Sequence, residues 1–144
     1  MILEQRYALT PKAYERTAST QADALMLIGD EALRFRATNR LFPYEVDLAS
    51  EWWLWQHLPF VFAVWAVRQS CAANLKQQLL RTLQATLAAN LRQLDAIASG
   101  RAMSVGMSTE DAKSYLDNFQ YRLGDSEERG IAQFTAMLHE HHLL

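Results

Sequence analysis

The sequence is poor in the residues that cross-link a fold or interrupt it. Its 144 residues include one cysteine, three prolines and five glycines. The single cysteine, Cys71, cannot form an internal disulfide, which agrees with a reducing compartment. So few prolines and glycines leave little room for linkers, and a hydrophobic content of 50% beside 21% charged residues excludes a disordered chain. By length, the sequence predicts one globular domain.

Strong charge of one sign and long apolar runs are lacking too. The net charge is −2, and without clustered Lys and Arg we predict no nucleic-acid partner, because duplex binding neutralises phosphates. No apolar run approaches the ~18 residues of a membrane span, so no membrane partner is predicted. The N-terminal residues lack a basic segment followed by an apolar core of signal-peptide length. The predicted location is therefore the cytoplasm.

What the sequence does contain is a continuous apolar run at residues 58–67, LPFVFAVWAV. In an extended chain Phe60 and Phe62 share one face, Val61 and Ala63 share the other, and neither face suits water. A helix is the competing interpretation, because periodicity does not decide so short a run. The β-branched and aromatic residues and the proline near its start favour a buried strand.

The remaining pattern alternates short strands with helices. Predicted strands cover residues 12–16, 22–28 and 58–67, and predicted helices cover 1–7, 49–55, 70–99 and segments that start at Gly29 and Asp30, at Ser108 and at Asp125. This order predicts an α/β fold whose inner strands are parallel, because they are apolar on both faces. Parallel strands need neighbours, so we expect part of the sheet to lie outside this polypeptide.

The turn at Gly29 and Asp30 is the best candidate site by position, since ligands in open α/β sheets lie beyond the carboxyl ends of strands. A helix N-terminus there presents free N–H groups to an anion. Gly29 either donates its N–H or takes a positive φ. Asp30 has an alternative interpretation as the helix N-cap.

Other side chains suggest chemistry but have structural alternatives. His57 precedes the apolar run, and because histidine is a common acid–base group in proteins it is a candidate for that role; a loop histidine without function is the alternative. Trp52, Trp53 and Trp55 suggest an aromatic cage. Because helical spacing points them in different directions, the alternative is one tryptophan in the core and one on a rim.

No metal site is predicted at the C-terminal histidines. His139 and His142 share a helix face, but a third and a fourth ligand are lacking. Histidines at a helix C-terminus are also explained by their favourable interaction with the helix dipole. Cys71 lies at the start of the long predicted helix, where either a lowered thiol pKa or burial as a small apolar residue applies.

Three blocks of residues resemble a known family. They are residues 22–33 (ADALMLIGDEAL), 47–52 (DLASEW) followed by 58–66 (LPFVFAVWA), and 115–116 with 121–124 (YL and YRLG). The chain resembles chorismate dehydratase of the futalosine route to menaquinone, over nearly its whole length.

The resemblance implies a two-lobed fold like that of type II periplasmic binding proteins, with this chain as the later half. Residues 1–67 would then complete the second lobe, and residues 68–144 would be a helical segment returning toward the first. We expect an N-terminally truncated chain that is inactive alone. Expected partners are a separately encoded first lobe or further copies of the chain.

The implied reaction is the dehydration of chorismate, a dicarboxylate, to 3-[(1-carboxyvinyl)oxy]benzoate without any cofactor. The resemblance assigns substrate contacts to Gly29, Asp30, Phe60, Phe62 and Ala63, and leaves the catalytic base unassigned. The chain departs from the family at residues 56–57, where Gln and His stand in place of Thr and Gly. The alternative function is a non-catalytic module that binds small anions on the same scaffold.

Overall fold

A computed structural model describes residues 1–15 and 21–143, and the regular structure in these residues is helical. A short π-helical segment opens the chain and a 3₁₀ helix follows the fourth α-helix. The bounds are Ile2–Arg6 for the π-helical segment, Gly29–Thr38 for α1, Leu48–Gln56 for α2, Ala73–Leu91 for α3, Leu94–Arg101 for α4, Ala102–Val105 for the 3₁₀ helix, Thr109–Asp117 for α5 and Asp125–Glu140 for α6.

The predicted α/β fold is wrong. No strand forms within residues 1–15 and 21–143, although strands were expected over 12–16, of which residue 16 lies outside the described residues, over 22–28 and over 58–67. A strand requires a hydrogen-bonded neighbour, and none of these segments has one in the described part. The periplasmic-binding-protein-like architecture is overturned with it.

The apolar run shows the physical reason most clearly. Both of its faces are apolar as predicted, but its first residues pack against helices instead of entering a sheet. Beyond Phe60 and Val61 the run is exposed, and Trp65 is 80% exposed. A sequence that is apolar on both faces therefore indicates a segment that can be covered on both sides. It does not show that a second element is there to cover it.

Helix starts agree closely with the sequence. The Asp47 carboxylate caps α2 by accepting a hydrogen bond from the Ser50 N–H at 2.6 Å. The Ser108 hydroxyl caps α5 by accepting from the Asp111 N–H at 3.0 Å. The predicted helix start at Ser108 is confirmed.

The long helix predicted over 70–99 is two helices. α3 ends at Leu91 and α4 begins at Leu94, with Gln93 between them outside helical geometry, and Gly100 lies inside α4. The left-handed residue that ends this helical region is Gly106, at φ 73°, after the 3₁₀ turn. Apolar spacing continued across the break, so periodicity alone did not reveal it.

The chain divides into two compact units. The first contains Met1–Leu25, Leu41–Val64 and Arg122–Leu144, and the second contains Met26–Arg40 and Trp65–Tyr121. The division at residue 67 implied by the family resemblance concerns lobes of a longer protein and stays a prediction. None of the helices described combines the length and the hydropathy that crossing a bilayer requires.

Each unit has its own small core. In the first unit Trp52 is fully buried and Met137 nearly so. In the second unit three alanines, Ala98, Ala102 and Ala112, pack together at the contact of α4 with α5. Because alanine is small, the helix backbones approach closely here, and this core contains little side-chain volume.

Candidate functional site

The first unit contains an open groove of about 200 Å³. One wall is the start of the apolar run, residues 60–64, and the other is one face of α6. We call this the aromatic groove; its α6 wall consists of Gly130, Ile131, Phe134 and Thr135. The lining residues carry no charge, so the groove suits an apolar ring or chain rather than an ion.

Two features hold the walls of the aromatic groove together. Gly130 has no side chain, and the Pro59 carbonyl group occupies the space that a Cβ atom would take, so the run lies directly on α6. Trp52 of α2 supports both walls from below, with ring centroids 6.0 Å from Phe60 and 5.5 Å from Phe134 in edge-to-face geometry. Such contacts fix the orientation of the rings.

Three of the predicted substrate-binding residues meet in the aromatic groove. Phe60, Phe62 and Ala63 all line it, and the Phe60 and Phe62 rings are 5.2 Å apart. Their packing against α6 was not predicted, because the run was expected to enter a sheet. A role in binding substrate stays a prediction.

The other two predicted residues, Gly29 and Asp30, belong to the second unit. Gly29 begins α1 with φ 63°, and a Cβ atom there would meet nothing within 4 Å. Asp30 is not the N-cap, a position that Ile28 holds without a side-chain cap. The helix starts two residues earlier than the cap interpretation required. The Asp30 carboxylate instead lies 3.5 Å from Arg101 Nη2 in an exposed ion pair.

His57 ends α2 in the left-handed conformation, at φ 55° and ψ 30°. Its backbone N–H donates to the Trp53 carbonyl oxygen at 2.8 Å, and its side chain is exposed. This is the C-terminal position that glycine favours, and it is where the family resemblance expects a glycine. The left-handed backbone thus explains why the resemblance expects glycine at residue 57. The acid–base role of His57 stays a prediction.

We expect His57→Gly to stabilise the chain by about 0.5–1 kcal/mol, because glycine adopts the left-handed region without the steric penalty of a Cβ atom. Equilibrium urea unfolding measures the change. The matched control is Gln56→Gly, one residue earlier and helical, which should lose about 1 kcal/mol. A loss of stability in both variants would show that the left-handed turn does not limit stability here.

The tryptophans do not form a cage. Trp52 is fully buried and Trp53 is 53% exposed, which confirms the alternative of one core and one rim residue.

Cys71 is half-buried, and the structure shows no bonded partner for its thiol within the described residues. Across residues 1–15 and 21–143 no group of three or more His, Cys, Asp or Glu side chains is placed to hold a metal ion.

A charged network missed by the sequence analysis joins the N-terminal segment to α2. Arg6 Nε lies 2.7 Å from a Glu51 carboxylate oxygen, and the Tyr7 hydroxyl donates to the same oxygen. The hydrogen bond from Tyr7, followed by those from Arg6, lowers the pKa of the Glu51 carboxyl below its ordinary value of 4.5. The partners are more than forty residues apart in sequence, so no local pattern reveals them.

This network predicts a pH-dependent contribution to stability. A lowered pKa in the folded chain means that Glu51 stabilises it above the ordinary pKa of about 4.5, and that this contribution is lost as the pH falls through the folded value. We therefore expect Glu51→Gln to destabilise at pH 7 and the difference from wild type to disappear in acid. Urea unfolding at a series of pH values tests this, and a difference that persists in acid would contradict it.

Tyr7→Phe should raise the pKa of Glu51 in a carboxyl NMR titration.

Comparison with known proteins finds matches of sequence and none of structure. The chain matches the model of a family described as menaquinone biosynthesis over residues 1–140. A curated chorismate dehydratase from Thermus thermophilus is 31% identical over 130 aligned residues, which cover 81% of this chain and 47% of that protein. The chain therefore spans about half the length of this relative. No solved structure matches the chain.

Proposed function

Because the chain belongs to the menaquinone-biosynthesis family, which confirms the resemblance to chorismate dehydratase, we propose that it serves the dehydration of chorismate. The observation that carries the proposal is the family match over residues 1–140. The Thermus thermophilus chorismate dehydratase is the relative through which the reaction is named.

The proposed reaction removes one water from the ring of chorismate to give 3-[(1-carboxyvinyl)oxy]benzoate. A ring carbon loses its proton and a neighbouring carbon loses its hydroxyl group, and the new double bond completes an aromatic ring. Aromatisation drives the reaction, so the protein has mainly to position the ring and exclude water. In this proposal Phe60, Phe62 and Ala63 contact the ring.

The aromatic groove supports this assignment by its size and chemistry. At about 200 Å³ it is smaller than the ~300–1,000 Å³ typical of sites for drug-sized ligands, and it suits a molecule with a single ring. Its uncharged lining offers no counter-ion for the two carboxylates of chorismate. We therefore propose that the carboxylates are bound by groups outside the groove, and that the chain alone is inactive.

A chimera tests the proposed function. Residues 1–140 replace the matched portion of the Thermus thermophilus chorismate dehydratase, and turnover is followed by the ultraviolet absorbance of chorismate and by product mass. We expect the chimera to convert chorismate and the 144-residue chain alone not to. The unmodified relative is the positive control.

The matched variant of the chimera is Phe62→Asp, which places a negative charge on an exposed side chain of the groove wall. It should lose turnover while it keeps its melting temperature, because the charge repels an anionic substrate from a ring-binding surface. A folded chimera without turnover would contradict the proposed function. Stabilisation of that chimera by many small anions would instead favour the non-catalytic binding module.

A further inference from the structure

The third helix carries an apolar face that is only partly covered. At about 100° per residue, its leucines all fall within an arc of about 160°; they are Leu75, Leu79, Leu80, Leu83, Leu87 and Leu91. We call this arc the leucine face of α3. No residue of α3 is fully buried: Leu79, Leu83 and Leu87 are half-buried, and Leu75, Leu80 and Leu91 are 52%, 55% and 42% exposed.

A helix of this kind needs a packing partner. Most helical stability in proteins comes from burial of an apolar face rather than from helix propensity. Within its unit α3 contacts one other helix, α4, its neighbour in sequence. The leucine face is therefore a candidate interaction surface, and the charges near it in the sequence indicate the chemistry of a partner.

Those charges are all positive. The sequence from residue 52 to residue 94 contains no Asp or Glu, and it contains Arg68, Lys76, Arg81 and Arg92. Lys76 lies inside the leucine arc, and its ammonium group donates to the Gln69 carbonyl oxygen at 2.7 Å. Within the described residues no carboxylate pairs with Lys76 or Arg81.

Other cations of the same unit are paired with carboxylates. Lys113 lies 2.6 Å from Asp117 and 3.5 Å from Asp95, and Arg101 lies 3.5 Å from Asp30. The unit thus pairs Arg101 of α4 and Lys113 of α5 with carboxylates, and the described residues show no such partner for Lys76 and Arg81 of α3. The absence of acid is a property of α3 and the neighbouring sequence, not of the whole unit.

We propose that the leucine face of α3 docks an amphipathic protein helix whose apolar stripe carries carboxylates opposite Lys76. Leucines on both helices then interdigitate, and a partner carboxylate pairs with the ammonium group of Lys76. A second copy of α3 fits poorly, because it brings no carboxylate and would bury Lys76 against further apolar or cationic groups.

A pair of designed peptides tests the proposal on the 144-residue chain. Both are helical, with leucine at the a and d positions of each heptad; one has glutamate at e and g, and the other has lysine there. Fluorescence anisotropy of the labelled peptides measures binding. We expect the acidic peptide to bind at least about tenfold more tightly than the basic peptide, with an advantage that shrinks in high salt.

Charge reversal provides the decisive variant. Lys76→Glu with Arg81→Glu should reverse the preference between the two peptides. The control pair, Lys12→Glu with Arg40→Glu, changes the net charge equally on exposed residues outside α3 and should leave the preference unchanged. Leu80→Asp should weaken binding of the acidic peptide at least about tenfold. Circular dichroism confirms that each variant keeps its helix content.

Three results would overturn the proposal. The first is failure of the acidic peptide to bind, or equal affinity for both peptides. The second is an α3-dependent dimer in sedimentation equilibrium that excludes the peptide, which would assign the leucine face to a second copy. The third is tighter binding to vesicles of anionic and zwitterionic phospholipid than to the acidic peptide, which would assign it to a lipid surface.

Discussion

Replacing Gly130 by alanine is expected to destabilise the chain, although alanine is the better helix former. A Cβ atom at Gly130 would collide with the carbonyl oxygen of Pro59, and the Pro59 carbonyl carbon would be 3.4 Å away. Both are backbone atoms, so relief requires the apolar run to move off α6. Such overpacking costs about 1–3 kcal/mol, against the ~1 kcal/mol that alanine gains over glycine in a helix.

The matched control is Gly100→Ala in α4. Gly100 is also a helical glycine, but a Cβ atom there would meet nothing within 4 Å. That variant should gain up to about 1 kcal/mol from helix propensity alone. Urea unfolding of the two variants should therefore give changes of opposite sign. A gain in both would show that the run does not rest on Gly130 in solution.

The same contact explains why half of the aromatic groove was predictable and half was not. Phe60, Phe62 and Ala63 belong to a run whose composition marks it as buried, and the sequence identified them. The opposite wall depends on which helix the run meets, which is set by contacts across about seventy residues. A single glycine inside the α6 pattern was the available signal, since an isolated helical glycine often marks a close backbone approach.

Helix caps were predictable because their determinants are local. Asp47 and Ser108 each bond to a backbone N–H three residues later, so a short sequence window contains the whole interaction. A sheet is the opposite case. The run at 58–67 has the composition of a buried strand, but a strand exists only with a hydrogen-bonded neighbour, and composition says nothing about the neighbour. The α/β prediction failed at that step.

Family membership was predictable for a further reason. The blocks at 22–33, 47–52 and 58–66 identify relatives by residue identity, whatever conformation these residues adopt. Their match predicted the menaquinone-biosynthesis family correctly. The two-lobed α/β architecture that the resemblance implied was wrong for the described residues. Matching residues therefore identified the family, but they did not show which distant segments of the chain pack against each other.

Trp52→Ala is expected to have the largest effect on stability of any substitution in the first unit. Trp52 is fully buried, and its ring makes edge-to-face contacts with three others, Trp55 at 6.1 Å, Phe60 at 6.0 Å and Phe134 at 5.5 Å. Truncation of a buried tryptophan costs about 3–5 kcal/mol, a large part of the ~5–15 kcal/mol that holds a domain folded. Trp53→Ala, one residue along and 53% exposed, should change stability by less than about 1 kcal/mol.

Trp52→Phe separates the ring packing from the indole N–H group. The structure shows no hydrogen-bond partner for Trp52 Nε1 within the described residues, and an unpaired buried donor costs about 1–3 kcal/mol. Phenylalanine keeps an aromatic ring and removes that donor, so Trp52→Phe should lose much less stability than Trp52→Ala in urea unfolding. Equal losses would mean that a phenyl ring does not retain the packing of the indole ring. Because Phe60 and Phe134 both rest on Trp52, a chain with alanine there should also lose the shape of the aromatic groove, which ties the proposed substrate surface to this one buried ring.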